Sequence, residues 1–398
     1  MPFLLSQLIE ASRWIGALLV LSIHVTNITV NQADIMSAPH APPVYVWWFF
    51  NGFGLGHQAV VGFFVLSGWL VGGAVLAKIG KSRDFLRDYF VHRVSRIYIV
   101  LAPALFFTAG LDGAGAILFP DSGVYDWPMF KGHYTIPIFL ANLANLQSIY
   151  VDYFGVNGPL WSLACEFWCY VLFPLLMMPM ARHLPPVRRY GAFLLGLALT
   201  LVLAWPESWF TFGFVIWAIS AFASRADRPL IRSRWLSLAI YAAVVVLIRL
   251  TVRGPLLDAH PLLGRAADVV GAMLFINLLL AFRDGPQTGF SALRWRIHAP
   301  LANFSFSLYA IHMPVIVFAR AWIGQYLGRD WATELATPAH YAAAIVVVLM
   351  TVICGYGLSR LTEARTSEAR RALRRLLDRL IPPPAAVAVV PERVSVES

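Results

Sequence analysis

Arg13 and His24 stand eleven residues apart inside one apolar run, SRWIGALLVLSIHVTN (12–27). On a helix, eleven residues make three full turns plus about 20°, so both side chains share a face, about 16 Å apart along the axis. An ionisable residue within hydrocarbon is costly and marks function by default. A fixed cation at one depth can grip an anion, and an imidazole at another can move a proton. In DYFVHRVSRIY, Arg93 and Arg96 fall three residues apart on one face. Two planar guanidiniums there suit a phosphate or pyrophosphate. Glu166 is the sole carboxylate of NGPLWSLACEFWCYVLFPLL, and Ser162, Glu166 and Cys169 share a face at i, i+4, i+7. Ser305, Tyr309 and His312 share another in FSFSLYAIHMPV. Ser67 lies in GHQAVVGFFVLSGWLVGG, where Gly62, Gly68, Gly72 and Gly73 permit close helix approach and the serine can bond across it.

The elements that must position these groups are membrane helices. Of 398 residues, 59% are hydrophobic and 13% charged, and the mean hydropathy is +0.67, a composition that excludes an ordinary soluble enzyme. The expected fold is all-α, a polytopic integral membrane protein with about ten spans. They run over 9–30, 57–77, 97–119, 161–180, 190–205, 209–224, 235–250, 267–282, 299–320 and 339–360. With both termini cytoplasmic, the inner segments hold 24 of the 31 Lys and Arg, which selects this orientation over its inverse. The net charge of +10 thus reads as positive loops rather than a nucleic-acid surface. The segment YTIPIFLANLANLQSIY (134–150) is apolar enough to span but would place the ARHLPPVRR arginines outside, so it is read as re-entrant, with Asn142 and Asn145 facing protein or water. On this topology His24, Glu166 and His312 all fall about 9–12 Å below the outer surface.

The membrane domain is expected over 1–362. Residues 363–381 place Leu373, Leu376, Leu377 and Leu380 on one face among arginines, as an amphipathic helix on an anionic inner leaflet; 382–398 reads as a disordered tail. The first twelve residues carry no Lys or Arg, so the first run reads as a retained span rather than a signal peptide. Cys165, Cys169 and Cys354 lie in apolar runs and form no disulfide or zinc pattern, and no metal site is expected.

The Arg and His with ten intervening residues, FFVLSG, the Arg-x-x-Arg pair before the third span, LWSLACEFWCYVLFP and SFSLYAIHMPV occur in an order that resembles acyltransferase family 3 of membrane O-acyltransferases. The likeness runs from about residue 12 to 320 and is weakest between 190 and 295. It implies acyl-CoA, most simply acetyl-CoA, as donor and a hydroxyl of a cell-surface or secreted glycan as acceptor, at a bacterial inner membrane. It also implies that Arg13, His24, Arg93 and Arg96 are essential, with Glu166 in a motif segment, and that the chain is of the standalone type without a fused hydrolase-like domain. The residue chemistry agrees. Arginines on the cytoplasmic side suit the phosphates of CoA, so Arg13, Arg93 and Arg96 are assigned to the donor. His24 could take the proton of an attacking hydroxyl, and Glu166 could orient it as a carboxylate does in a triad; an acyl-enzyme on the imidazole is the other route. Ser67, Asn142, Asn145, Trp161, Tyr309 and His312 are assigned to substrate binding. A reading from a different class is a proton-coupled exporter or lipid-linked glycan flippase, against which the lack of an internal repeat counts.

Overall fold

The computed structural model describes residues 1–31, 39–51, 55–81, 85–251 and 260–380. Among these the chain is helical, without strands, apart from one isolated bridge between Gln147 and Val151. In hydrocarbon a helix satisfies every backbone N–H and C=O within its own segment, and apolar runs of this length have no cheaper solution. The helices are α1 (Phe3–Thr29), α2 (Pro42–Asn51), α3 (Leu55–Ser67), α4 (Phe85–Leu118), α5 (Ile136–Leu143), α6 (Trp161–Leu176), α7 (Pro186–Ala204), α8 (Trp209–Ala223), α9 (Arg234–Thr251), α10 (Pro261–Asp284), α11 (Ser305–Tyr326), α12 (Pro338–Leu361) and α13 (Thr366–Leu380). Nine helical segments among the described residues are long and apolar enough to cross a bilayer, and α8 is a shorter apolar helix of 15 residues. Together they account for each expected span.

Helix α11 lies at the centre, packed on α1, α4 and α12, and 72% of its apolar window is buried. For α7 and α9 the figures are 11% and 22%, which makes these two the lipid-facing rim. Helix α3 passes through a π-helical turn at Gly68–Gly72 and continues as Gly73–Lys78. The glycines there allow α8 to touch α3 backbone to backbone: a Cβ on Gly68 would lie 2.1 Å from the Trp217 carbonyl oxygen, and one on Gly72 2.3 Å from the Ala221 Cβ. The Ser220 hydroxyl donates to the Val65 carbonyl at 2.7 Å, just ahead of the irregular turn. Such turns re-aim the side chains that precede them, here Ser67.

The segment 134–150 does not cross as one helix. Its helical part, α5, has eight residues, about 12 Å, and the chain then turns through left-handed backbone at Asn145 (φ 58°) and Ser148 (φ 57°). Within the segment expected as an amphipathic helix, α13 also rests on protein. It is laid across the start of α4 by a reciprocal pair of ion contacts, Arg87 to Asp378 at 2.5 Å and Arg374 to Asp88. Of its four expected lipid-facing leucines, Leu373 and Leu377 are half-buried, and Leu376 and Leu380 are exposed. The tail 382–398, expected to be disordered, lies outside the described residues.

Candidate active site

A cavity of about 350 Å³ opens between α1, α3, α4, α6 and α11. Its polar lining is Arg13, Ser67, Arg93, Arg96, Ser162, Glu166, Tyr170, Ser305 and Tyr309, and Phe63, Phe64 and Phe306 supply much of the apolar wall. The shared helical faces expected for Ser162 with Glu166, and for Ser305 with Tyr309, thus converge on one space. Cys169 is buried away from it.

Arg93 sits over the rings of Tyr89 and Tyr170, 5.9 and 5.7 Å from their centroids. Its Nε is buried without a hydrogen-bond partner among the described residues. A guanidinium held against two rings with a donor unspent is prepared for an anion. Glu166 is fixed by a directional chain. Trp217 Nε1 donates to Ser67 Oγ at 3.0 Å, Ser67 Oγ donates to the Tyr170 hydroxyl at 3.1 Å, and that hydroxyl donates to Glu166 Oε1. Each hydroxyl spends its one proton towards the carboxylate, so the chain ends on an acceptor. Sequence spacing could have shown Tyr170, which is i+4 from Glu166. Trp217 lies on α8 and carries no local sign of its role.

The imidazoles lie one turn beyond Tyr309. His312 Nδ1 is 2.6 Å from the Tyr309 carbonyl oxygen, and His312 Nε2 is 3.0 Å from His24 Nδ1. The ring centroids of the two histidines are 5.0 Å apart. A carbonyl can only accept, so His312 carries its proton on Nδ1 and its Nε2 is an acceptor. His24 must then donate from Nδ1, which leaves the lone pair of neutral His24 on Nε2. The Tyr309 hydroxyl donates to the Pro159 carbonyl at 2.9 Å and takes the Ser162 hydroxyl at 2.6 Å, which anchors α11 to the start of α6.

The expected pairing of His24 with Glu166 is not formed. Among the described residues no hydrogen bond joins them; His24 pairs with His312 and Glu166 with Tyr170. His312, assigned above to substrate binding, contacts the His24 imidazole. Asn142 is fully buried, donates to the carbonyls of Ile138 and Asp152 and accepts from the Phe154 N–H. Its amide closes the α5 loop. Asn145 donates to the Tyr98 hydroxyl at 3.3 Å and its carbonyl accepts from Trp168. Neither asparagine lines the cavity. Nor does Trp161, which stands edge-on to Trp209, ring centroids 5.1 Å apart. Sequence reading also passed over His57, whose Nε2 meets Asp268 at 2.8 Å while Gln58 donates to the other carboxylate oxygen, tying α3 to α10 away from the cavity. Among the described residues no group of three His, Cys, Asp or Glu is placed to hold a metal ion.

A family model described as an acyltransferase domain matches residues 7–359. The acyltransferase MdmB of Streptomyces mycarofaciens is 27% identical over 337 residues, which are 76% of this chain and 78% of that protein. An uncharacterized protein of Haemophilus influenzae is 31% identical over 124 residues, 29% of this chain and 47% of that one. No solved structure matches this chain.

Proposed function

Since the chain belongs to the acyltransferase 3 family, we propose that it transfers an acyl group, acetyl in the simplest case, from acyl-CoA to a hydroxyl of a sugar in a cell-surface or secreted glycan. The observation that carries this is the tautomer set in the His24–His312 pair, one turn beyond a cavity lined by three arginines and a carboxylate. On this reading the membrane is a bacterial inner membrane and the arginine end of the cavity faces the cytoplasm, where acyl-CoA is made; the positive-inside pattern supports that orientation. Arg13, Arg93 and Arg96 hold its anionic part, and the thioester extends along the face of α1 that leads from Arg13 to His24. The acceptor hydroxyl comes from the other side. His24 Nε2 takes its proton while the oxygen attacks the thioester carbonyl carbon. The C–S bond breaks, and the proton on His24 passes to the departing sulfur, giving an ester and free CoA. His312 keeps the Nδ1 proton in place and shares the charge of the imidazolium. Glu166, held by Tyr170, lines the same cavity as the arginines and offsets part of their charge. The phenylalanine walls keep water from the thioester.

The test uses purified protein in liposomes with radiolabelled acetyl-CoA and a glycan acceptor. Wild-type protein should release CoA and label the acceptor, and His24→Ala should lose more than about 99% of this rate while still inserting in the membrane. Retention of label on the protein itself, chased by acceptor, would replace direct transfer with an acyl-histidine route. Turnover unaffected by His24→Ala would remove the histidine from the chemistry.

A further inference from the structure

A second cavity, of about 610 Å³, abuts the first and shares Arg13 and Arg96 with it. The C-terminal segment supplies its other wall: Ser359 and Arg360 at the end of α12, Glu363 in the turn, and Thr366 and Arg370 in α13. Four arginines therefore face one carboxylate. One oxygen of that carboxylate is already engaged: Glu363 Oε2 accepts from the Ser307 N–H at 2.9 Å and from the Ser307 hydroxyl at 2.7 Å. Arg370 Nε is buried without a hydrogen-bond partner among the described residues. Leaving such a donor unmet costs free energy that an anionic partner would recover. The Arg87–Asp378 and Arg374–Asp88 contacts hold α13 so that Arg370 points at this space.

We infer that this vestibule binds the phosphorylated nucleotide end of the acyl donor, with Arg360 and Arg370 as its outer phosphate ligands and α13 as a wall of the donor site. The inference rests on the proposed use of acyl-CoA and divides the donor between two cavities. Its outer phosphates lie by Arg360 and Arg370, its innermost phosphate lies at the mouth shared through Arg13 and Arg96, where Arg93 lines the inner side, and its phosphate-free pantetheine arm enters the inner cavity beyond them. Two arginine forks on α12 and α13 match a diphosphate and a separate phosphate monoester better than one carboxylate-sized anion. An anionic lipid headgroup would present the same phosphate chemistry, and the assay separates the two.

The experiment measures kcat/KM of the full chain in liposomes for three donors: acetyl-CoA, acetyl-dephospho-CoA and acetyl-pantetheine. Wild-type protein should prefer acetyl-CoA to acetyl-pantetheine by at least about 100-fold, since two or more charge-assisted contacts are at stake. Arg370→Ala and Arg360→Ala should each shrink that ratio about tenfold or more, and Arg370→Lys should keep part of it. Because the ratio is read within one preparation, partial misfolding cancels. Equal losses with both donors, or a loss that follows the anionic-lipid content of the liposomes, would overturn the nucleotide site. A wild-type enzyme that uses acetyl-CoA and acetyl-pantetheine equally would overturn it too, while leaving acyl-CoA as donor intact. Turnover of neither thioester would sink the proposed function, and this inference with it.

Discussion

Replacing His312 tests the reasoning about the imidazole pair most directly. In the resting enzyme the His24 Nδ1–H to His312 Nε2 contact of 3.0 Å is a neutral hydrogen bond, worth about 1 kcal/mol net. When His24 takes the hydroxyl proton the same contact becomes charge-assisted, worth about 1.5–3 kcal/mol. Only the difference, about 0.5–2 kcal/mol, accelerates the chemical step, which is about 2–30-fold in kcat. His312→Ala also frees His24 to rotate and to carry its proton on Nε2, where it is no base. The extreme of that error in a serine-protease triad costs about 10⁴-fold. A fall in kcat of about 10–100-fold is expected, with the KM for acyl-CoA changed less than about twofold. The amides separate the two ring nitrogens. Gln at 312 can bring an acceptor to the place of Nε2, whereas Asn reaches only the place of Nδ1, near the Tyr309 carbonyl. His312→Gln should therefore recover a good part of kcat and His312→Asn should not. If Asn restored the rate better than Gln, the role of His312 would be to brace the turn at Tyr309. If His312→Ala kept kcat within about twofold, the tautomer argument would be wrong.

Other expected outcomes follow from single contacts. Tyr170→Phe removes the donor that holds Glu166 and orphans Ser67; acyl-transfer kinetics should show a loss of about tenfold or more in kcat/KM for acyl-CoA, and an unchanged value would make the chain of hydroxyls mere packing. Arg93→Lys keeps the charge but loses the planar fork held near the rings of Tyr89 and Tyr170, so the KM for acyl-CoA should rise nearly as much as in Arg93→Ala. Full rescue by lysine would reduce Arg93 to a topology signal. Gly68→Ala puts a methyl 2.1 Å from the Trp217 carbonyl oxygen and should destabilise the protein by about 1–3 kcal/mol, seen as a lower midpoint in detergent thermal unfolding. A melt equal to that of the wild type would mean that α3 and α8 separate freely.

What could be read from the chain, and what could not, divides along helix faces. A span is a run of one solvent preference, so length and hydropathy located all ten, and short-range spacing put Ser162 beside Glu166 and Ser305 beside Tyr309. Rotation of one helix about its axis relative to another is not encoded locally. It is fixed where glycines permit contact, as at Gly68 and Gly72 against Trp217 and Ala221, and those partners lie some 150 residues away. Hence Glu166 and His24 could be placed at one depth from sequence and still be given the wrong partners. Aligning depths left His312 equally eligible, and one fact within its own helix would have favoured it. A histidine three residues after Tyr309 can spend Nδ1 on the carbonyl of the preceding turn, which leaves Nε2 as an acceptor for another imidazole. Glu166 likewise had Tyr170 one turn away. The same logic applies to α13: its hydrophobic stripe suggested a lipid surface, but Arg87 and Asp88 on α4 offered complementary charges to Asp378 and Arg374. An amphipathic helix rich in arginine can rest on complementary charges of the protein, and here Arg87 and Asp88 supply them. The consequence is functional, because a helix fixed on α4 can turn Arg370 towards the cavity that Arg13 and Arg96 share, whereas one floating on lipid could not.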